Sequence, residues 1–386
     1  MLKIDFNNTG SPNNGSPEDY LPKIHARKQG FYDILDQDLS KIKAFKSEHE
    51  HIVVLGIGGS SLGAICLQQS LTHLFKTPKL HVIDNIDPIM IKELEDVIDP
   101  ANTLFIVITK SGTTPEIMSQ YEYFKAKAPK ENFVFITDPQ NGKLREIANK
   151  EGIPTFDIPE NVGGRFSVLS PVGLLPAHLL GIDIDKLIAG AKSMRKKFLS
   201  EDPKQNLPFQ LASIQYQLNK AITVLMPYAQ KLIKLADWYR QLLAESIGKK
   251  SDNNGNIVNI GITPVNALGV TDQHSQSQLY NEGPNDKLLM FIEVANLGPE
   301  LQIPGENYSF NKLIQIEKEA TAGSLTKNDR PNLTIKIDEI NEETLGELFM
   351  LFEASIAFLG EFYNIDAFNQ PGVELSKQLT KQMLKD

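Results

Sequence analysis

Gln241 and Glu245 stand four residues apart in AQKLIKLADWYRQLLAESIGKK, a stretch with helical spacing, so they share one face near its C-terminal end. Leu242 and Leu243 lie between them. A carboxylate with apolar neighbours, close to the negative end of a helix, is a candidate base for work near neutral pH. The same position also suits a solvated glutamate beside Lys249 and Lys250. His274, in TDQHS, falls at an expected helix start, and histidine is the side chain most easily used for proton transfer. Arg165 follows Gly163 and Gly164 in DIPENVGGRFS, on flexible backbone beyond an expected strand end. A guanidinium there can hold a phosphate or a developing oxyanion, with a surface ion pair as the competing fate. Lys377, in FNQPGVELSKQLTKQ, reads by composition as a solvated charge on a terminal helix. The other histidines lie in charged or core-like surroundings and are given no role.

Two loops have the composition of a phosphate cradle. In HIVVLGIGGSSLGAICLQQSL an apolar β-branched run breaks at Gly56, passes Gly58, Gly59, Ser60 and Ser61, and resumes with helical spacing at Leu62. Glycines let backbone approach a ligand, and the unpaired N–H groups of a helix start favour an anion. Glycines used only for close packing in a βα unit would look the same. The loop is no P-loop, because Ala64 and Ile65 follow Gly63, and Ser61 stands where the dinucleotide fingerprint needs its third glycine. Asp84, where a ribose-binding acid would lie, keeps a nicotinamide-dependent oxidoreductase as an alternative. The second loop is Thr109, Lys110, Ser111, Gly112, Thr113, Thr114, with Pro115 opening a helix. Helix capping accounts for Thr114 and Pro115, but not for Lys110 or the number of hydroxyls. Both loops follow strands, which implies one phosphate held from two sides, as for a phosphosugar.

The elements that must position these residues alternate. Strands are expected near Ile52–Leu55, Leu80–Asp84, Thr103–Ile108, Phe133–Ile136 and Thr155–Ile158, separated by helical patterns such as Pro115–Ala126 and Lys143–Lys150. Such alternation predicts an α/β fold, a parallel sheet with helices on both faces and ligands beyond the strands' carboxyl ends. The second half repeats it, with strands at Ala221–Met226, Ile257–Ile262, Leu288–Val294 and Leu333–Ile337, and helices at Gln230–Ile247, from Phe310, around Leu345 and from Val373. The residues through Pro17 read as an irregular arm before a helix over Pro22–Asp36. With a polar linker at Leu199–Leu207, the expected division is an arm and helix at 1–45, a first domain with the phosphate loops at 46–198, and a second with the C-terminal helix at 199–386.

The 386 residues suffice for two domains with full cores, and 41% apolar with 23% charged residues is ordinary for a globular chain. A net charge of −9 argues against a nucleic-acid surface. The single cysteine, Cys66, excludes an internal disulfide and a Cys-rich metal site. The first residues lack the apolar core of a signal peptide, which points to the cytoplasm. Leu345–Phe362 is interrupted by Glu347, Glu353 and Glu361, so it reads as a buried amphipathic helix and not a membrane span.

GIGGSSLG, TKSGTT, DIPENVGGRFS, QLLAESIGK, TDQHSQSQLYNEG and NQPGVELSK occur in the order of the corresponding segments of the glucose-6-phosphate isomerases. From about Ile52 to Lys377 the chain resembles that family. The resemblance implies two sugar-isomerase (SIS) domains, each a parallel sheet sandwiched between helices, and a homodimer. It implies interconversion of glucose 6-phosphate and fructose 6-phosphate through a cis-enediolate, a step of glycolysis and gluconeogenesis, with no metal or organic cofactor. By position, Glu245 matches the base between C2 and C1, His274 the ring-opening histidine reaching the site from the other subunit, and Lys377 the lysine assisting it. Arg165 matches the arginine near the enediolate, and Ser60, Thr109, Ser111 and Thr114 the phosphate-binding hydroxyls, with Gly59 in the same loop. Lys110, Gln241 and Gln370 match further residues lining the site. Asn369 and Pro371 depart from the family pattern, which many members fill with Asp and an aromatic residue. A non-catalytic phosphosugar sensor of the same type is the alternative; it would need the two hydroxyl loops but not Glu245, His274 and Lys377 together.

Overall fold

The computed structural model describes residues 2–6, 8–76 and 79–384. Among them the strands are β1 (Lys3–Asp5), β2 (His51–Leu55), β3 (Leu80–Ile83), β4 (Thr103–Ile108), β5 (Phe133–Thr137), β6 (Thr155–Asp157), β7 (Ile222–Pro227), β8 (Lys249–Ser251), β9 (Ile257–Ile260), β10 (Thr263–Asn266), β11 (Lys287–Asn296) and β12 (Asn332–Glu339). The chain forms two compact units. The first is Gln29–Ser193 with Ile340–Phe349; the second is Met1–Lys28, Met194–Glu339 and Met350–Asp386.

The first unit is built on a parallel five-stranded sheet in the order β3-β2-β4-β5-β6. Every residue of β4 and β5 is buried, as expected where helices cover both faces of a sheet. Val53, Leu55, Phe105, Val107, Phe133 and Phe135 share one core with Ile117, Tyr121, Phe124 and Leu144 of the covering helices. Phe105 stacks on Phe133 at 5.2 Å and Tyr121 meets Phe135 edge-on at 5.2 Å, which fixes the Pro115–Lys125 helix over the sheet. The chain enters at β2, steps sideways to β3, then crosses to β4 on the other side of β2. That reversal leaves β2 and β4 adjacent, and beyond their carboxyl ends lies the natural ligand crevice of an open α/β sheet. GIGGS and TKSGTT are the loops that follow these two strands.

The second unit has a sheet in the order β1-β12-β11-β7-β10. Its strands pair in parallel except β1, which runs antiparallel to β12 with Ile4 opposite Ile335. Val224, Met226, Leu289 and Phe291 of the sheet pack with Tyr228, Tyr280, Ala322 and Leu325. The helix Ile233–Ile247 connects β7 to β10, and the hairpin of β8 and β9 intervenes before β10 begins.

Three expectations about elements change. The N-terminal arm is not wholly irregular: Lys3–Asp5 pairs with the edge strand β12, Leu2 is buried, and Asp5 bonds Lys336 at 3.0 Å. The helix expected over Pro22–Asp36 ends at Ala26. Lys28 takes a positive φ of 52°, and a short 3-10 turn at Ile34–Asp36 follows. The strand expected at Ile257–Ile262 belongs to the hairpin, and the sheet strand is Thr263–Asn266. Its proline, Pro264, masked it in the sequence and is tolerated because β10 is an edge. Cys66 is buried, and among the described residues no helix is long and apolar enough to cross a membrane.

Candidate active site

In the first unit three loops meet beyond the strand ends. After β2, Gly58–Ser60 forms a 3-10 turn leading into the Leu62–Leu71 helix. After β6, a second 3-10 turn at Gly164–Phe166 carries Arg165. The two turns touch through backbone: a Cβ on Gly59 would sit 2.2 Å from the Gly164 carbonyl oxygen and 2.8 Å from the Arg165 nitrogen, so only glycine fits. The Ser167 hydroxyl donates to the Gly164 carbonyl at 2.6 Å, and Phe166 N–H to the Gly163 carbonyl at 3.0 Å. The Arg165 segment is therefore an ordered turn, not the flexible backbone its two glycines suggested. Arg165 is only 4% exposed, with its guanidinium carbon 5.5 Å from the centre of the Phe166 ring. That burial does not suit a surface ion pair.

The loop after β4 gathers hydroxyls. Thr109 and Thr114 hydroxyl oxygens are 3.0 Å apart, and Ser111 lies 3.5 Å from Thr114. Gly112, at φ 62°, turns the chain where a Cβ would meet the Leu144 nitrogen at 2.6 Å. Thr114 is the N-cap residue of the Pro115–Lys125 helix, yet its side chain makes no capping hydrogen bond. The hydroxyl is turned instead to Thr109 and Ser111, and the helix start keeps N–H groups for an anion. Ser61 likewise leaves the Leu62–Leu71 helix uncapped, its hydroxyl donating to the Gly58 carbonyl at 3.1 Å. Lys110 does something the sequence did not reveal: its ammonium donates to the carbonyls of Glu160 at 2.7 Å and Val162 at 3.0 Å. Burial pushes its pKa below the ordinary lysine range, against the opposing pull of Asp138 and Glu160.

In the second unit Gln241 Nε2 donates to Glu245 Oε1 at 3.2 Å, the one-turn contact their spacing predicts. Both are half-buried, and Leu242 and Leu243 beside them are fully buried. Lys249, by sequence a charged neighbour beside a solvated glutamate, is only 7% exposed, and its ammonium donates to the carbonyls of Glu245 and Ser246 at 2.6 and 2.9 Å. It thereby satisfies carbonyls left unpaired by the end of the helix that carries the carboxylate. A lysine directly after a helix-ending glycine is the signal that would have found it. His274 is exposed at the end of the Thr271–His274 turn, just beyond β10. Gln370 is exposed, and Lys377 bonds Glu374 at 2.8 Å on an exposed helix. The structure thus joins the hydroxyl loops to the arginine turn within one unit and Gln241 to Glu245 within the other, while His274 and Lys377 stand on the surface. Among the described residues no group of three or more side chains could hold a metal ion.

Two α/β sheets, one with clustered hydroxyls beyond its carboxyl ends, share their fold with a solved glucosamine-6-phosphate deaminase from Thermotoga maritima and a tagatose-6-phosphate ketose/aldose isomerase from Escherichia coli. A profile described as Phosphoglucose isomerase matches residues 18–298 and 307–386, so the chain belongs to the phosphoglucose isomerase family. It is 42% identical to a glucose-6-phosphate isomerase of Carboxydothermus hydrogenoformans, over 99% of this chain and 94% of that one. Among solved structures, a hypothetical protein from Thermus thermophilus superposes with a TM-score of 0.91 at 32% identity, all of both chains being covered. A glucose-6-phosphate isomerase from Chlamydia trachomatis shares the fold, with a TM-score of 0.78 at 24% identity over 94% of this chain and 74% of that one.

Proposed function

We propose that this protein interconverts glucose 6-phosphate and fructose 6-phosphate. The observation that carries the reading is the Thr109, Ser111 and Thr114 hydroxyl cluster at an uncapped helix start, in a chain of this family. Those hydroxyls, Ser60 and the backbone at Gly59 hold the phosphate. His274 and Lys377 assist ring opening. Glu245 then removes the proton from C2 of the open aldose; the C–H electron pair forms the C1–C2 double bond and the carbonyl electrons move to O1. Arg165 offsets the negative charge on that oxygen, the proton on O2 passes to O1, and as the O2 electrons form the C2 carbonyl the double-bond pair takes the proton back from Glu245 at C1. Gln241 and Gln370 line the sugar. Hydrogen moves between neighbouring carbons, so the overall change is redox neutral and consumes no external oxidant.

The assembly in this reading is a homodimer to which a second copy supplies His274. The Glu374–Met383 helix supports it: Leu375, Leu379 and Met383 recur every fourth residue and are all exposed, an apolar stripe of the kind a second copy covers. The substrate pair places the reaction in glycolysis and gluconeogenesis, in the cytoplasm.

The test is a coupled isomerase assay with purified protein and fructose 6-phosphate in the presence of chelator. Turnover is expected. Binding without turnover would replace the reading with that of a phosphosugar sensor, and a monomer in sedimentation at micromolar concentration would remove the homodimer.

A further inference from the structure

The Lys110 ammonium lies between the two loops that the proposed reaction uses in different ways. Its backbone belongs to the hydroxyl loop after β4, while its side chain spends two of its three N–H donors on the carbonyls of Glu160 and Val162, in the segment leading to Arg165. The same segment is fastened on another side by the backbone contact of Gly59 with Gly164 and Arg165. The hydroxyl loop is itself held to the sheet, since Thr137 donates its hydroxyl to the Thr109 carbonyl at 2.8 Å. Charge-assisted bonds from one ammonium to two carbonyls about fifty residues away in sequence are a cross-loop fastening.

From this arrangement we infer that Lys110 is a positioning residue: its ammonium sets the distance between the phosphate-holding hydroxyls and Arg165 by tying their loops together, instead of spending its charge on the substrate's phosphate. The inference rests on the isomerase reading above for its catalytic consequence, though not for the fastening itself. Phosphate binding and oxyanion stabilisation act at opposite ends of one sugar, so a change in loop spacing leaves the first intact and misplaces the second. Displacements of about 1 Å at a charge-stabilising group cost on the order of 100-fold in rate.

Lys110→Met removes the donors and keeps the apolar stem; Lys110→Arg restores two donors. In Lys110→Met, kcat should fall by about 10- to 100-fold, the dissociation constant for inorganic phosphate should stay within about twofold of wild type, and amide exchange at Phe166 and Ser167 should accelerate. Lys110→Arg should bring kcat back to within about threefold of wild type, because a guanidinium can donate to both carbonyls. A phosphate dissociation constant that rises in step with the loss of turnover would make the ammonium a direct ligand and overturn the assignment. So would unchanged kcat and unchanged amide exchange in Lys110→Met, or a Lys110→Arg protein as slow as Lys110→Met. If Lys110→Met does not fold, Lys110→Arg decides alone, and a kcat more than about tenfold below wild type with unaltered phosphate binding overturns the role. An inactive wild type would end the isomerase reading while leaving the exchange measurement to judge the fastening.

Discussion

The two units place their candidate site residues at opposite ends of similar sheets. In the first, the hydroxyl loop and the arginine turn follow β4 and β6, at the carboxyl ends where parallel strands leave helix starts facing a ligand. In the second, Glu245 lies at the C-terminal end of the helix that runs back from β7 to β10. That end returns towards the level at which β10 begins: Gly248, which closes the helix, lies against Gly261, two residues before Thr263. The first arrangement offers partial positive charge from helix starts, which suits an anion. The second offers the negative end of a helix, whose last carbonyls accept from the ammonium of buried Lys249. One topology thus gathers hydroxyls and helix starts beyond the carboxyl ends of one sheet and, in the other unit, sets a glutamate at the end of a helix that returns to where β10 begins.

The largest effect expected from breaking this contrast is in the second unit. Glu245→Gln should lower kcat by about 1,000- to 10,000-fold, since the acid–base step disappears with almost no change of shape. Its phosphate affinity, set in the first unit, should remain. Near wild-type turnover in a steady-state assay would remove Glu245 from the role of base. Gly59→Ala strikes the cradle through backbone, where the Gly164 carbonyl cannot yield as a flexible side chain would. A stability loss of about 1–3 kcal/mol in urea unfolding is expected, with a fall in kcat of about 100-fold from displacement of Arg165. Wild-type values for both would mean that the two turns do not depend on each other.

This contrast also explains what the sequence disclosed. The cradle was legible because strand, glycine turn and helix start are local patterns, and β2, β4 and β5 are runs of apolar residues that only a doubly covered sheet needs. Capping and phosphate binding could not be separated at Thr114 from residue types alone; in the fold its hydroxyl makes no capping bond and lies 3.0 Å from that of Thr109. Lys110 is unreadable in its actual contacts for the same reason, because its partners are backbone carbonyls that every residue possesses. β10 is hard to read from sequence because a proline in a four-residue edge strand breaks the expected pattern. Glu245 itself carried little local signal, and the spacing to Gln241 was its only readable partner.

Thr114→Val is a milder probe of the first unit. It keeps the shape of the side chain and removes one of the three clustered hydroxyls, so KM for fructose 6-phosphate should rise by about tenfold, the worth of one hydrogen bond to a charged group. The kcat should change by less than about threefold. A kcat loss larger than the KM change would mean that this hydroxyl acts on the reacting carbons and not on the phosphate.

The smallest effect concerns a buried ionisable group whose situation inverts that of Arg165. Glu353 lies on the Glu342–Phe362 helix in the second unit, is fully buried, and among the described residues neither carboxyl oxygen has a hydrogen-bond partner. Burial raises its pKa well above the ordinary 4.5, so the folded protein keeps the carboxyl neutral. An unfolded chain releases that proton once the pH passes about 4.5. The folded state then binds one proton more than the unfolded state, and stability falls with rising pH by about 1.4 kcal/mol per unit until the folded pKa is reached. Glu353→Gln has no proton to lose, so its melting temperature should match wild type near pH 4.5 and exceed it by a few degrees at pH 7, the gap widening across the interval. Melting curves at half-unit steps from pH 4.5 to 8 measure this directly. Parallel curves for the two proteins would show that Glu353 ionises at its usual pH, and hence that water or a polar group reaches it inside the fold.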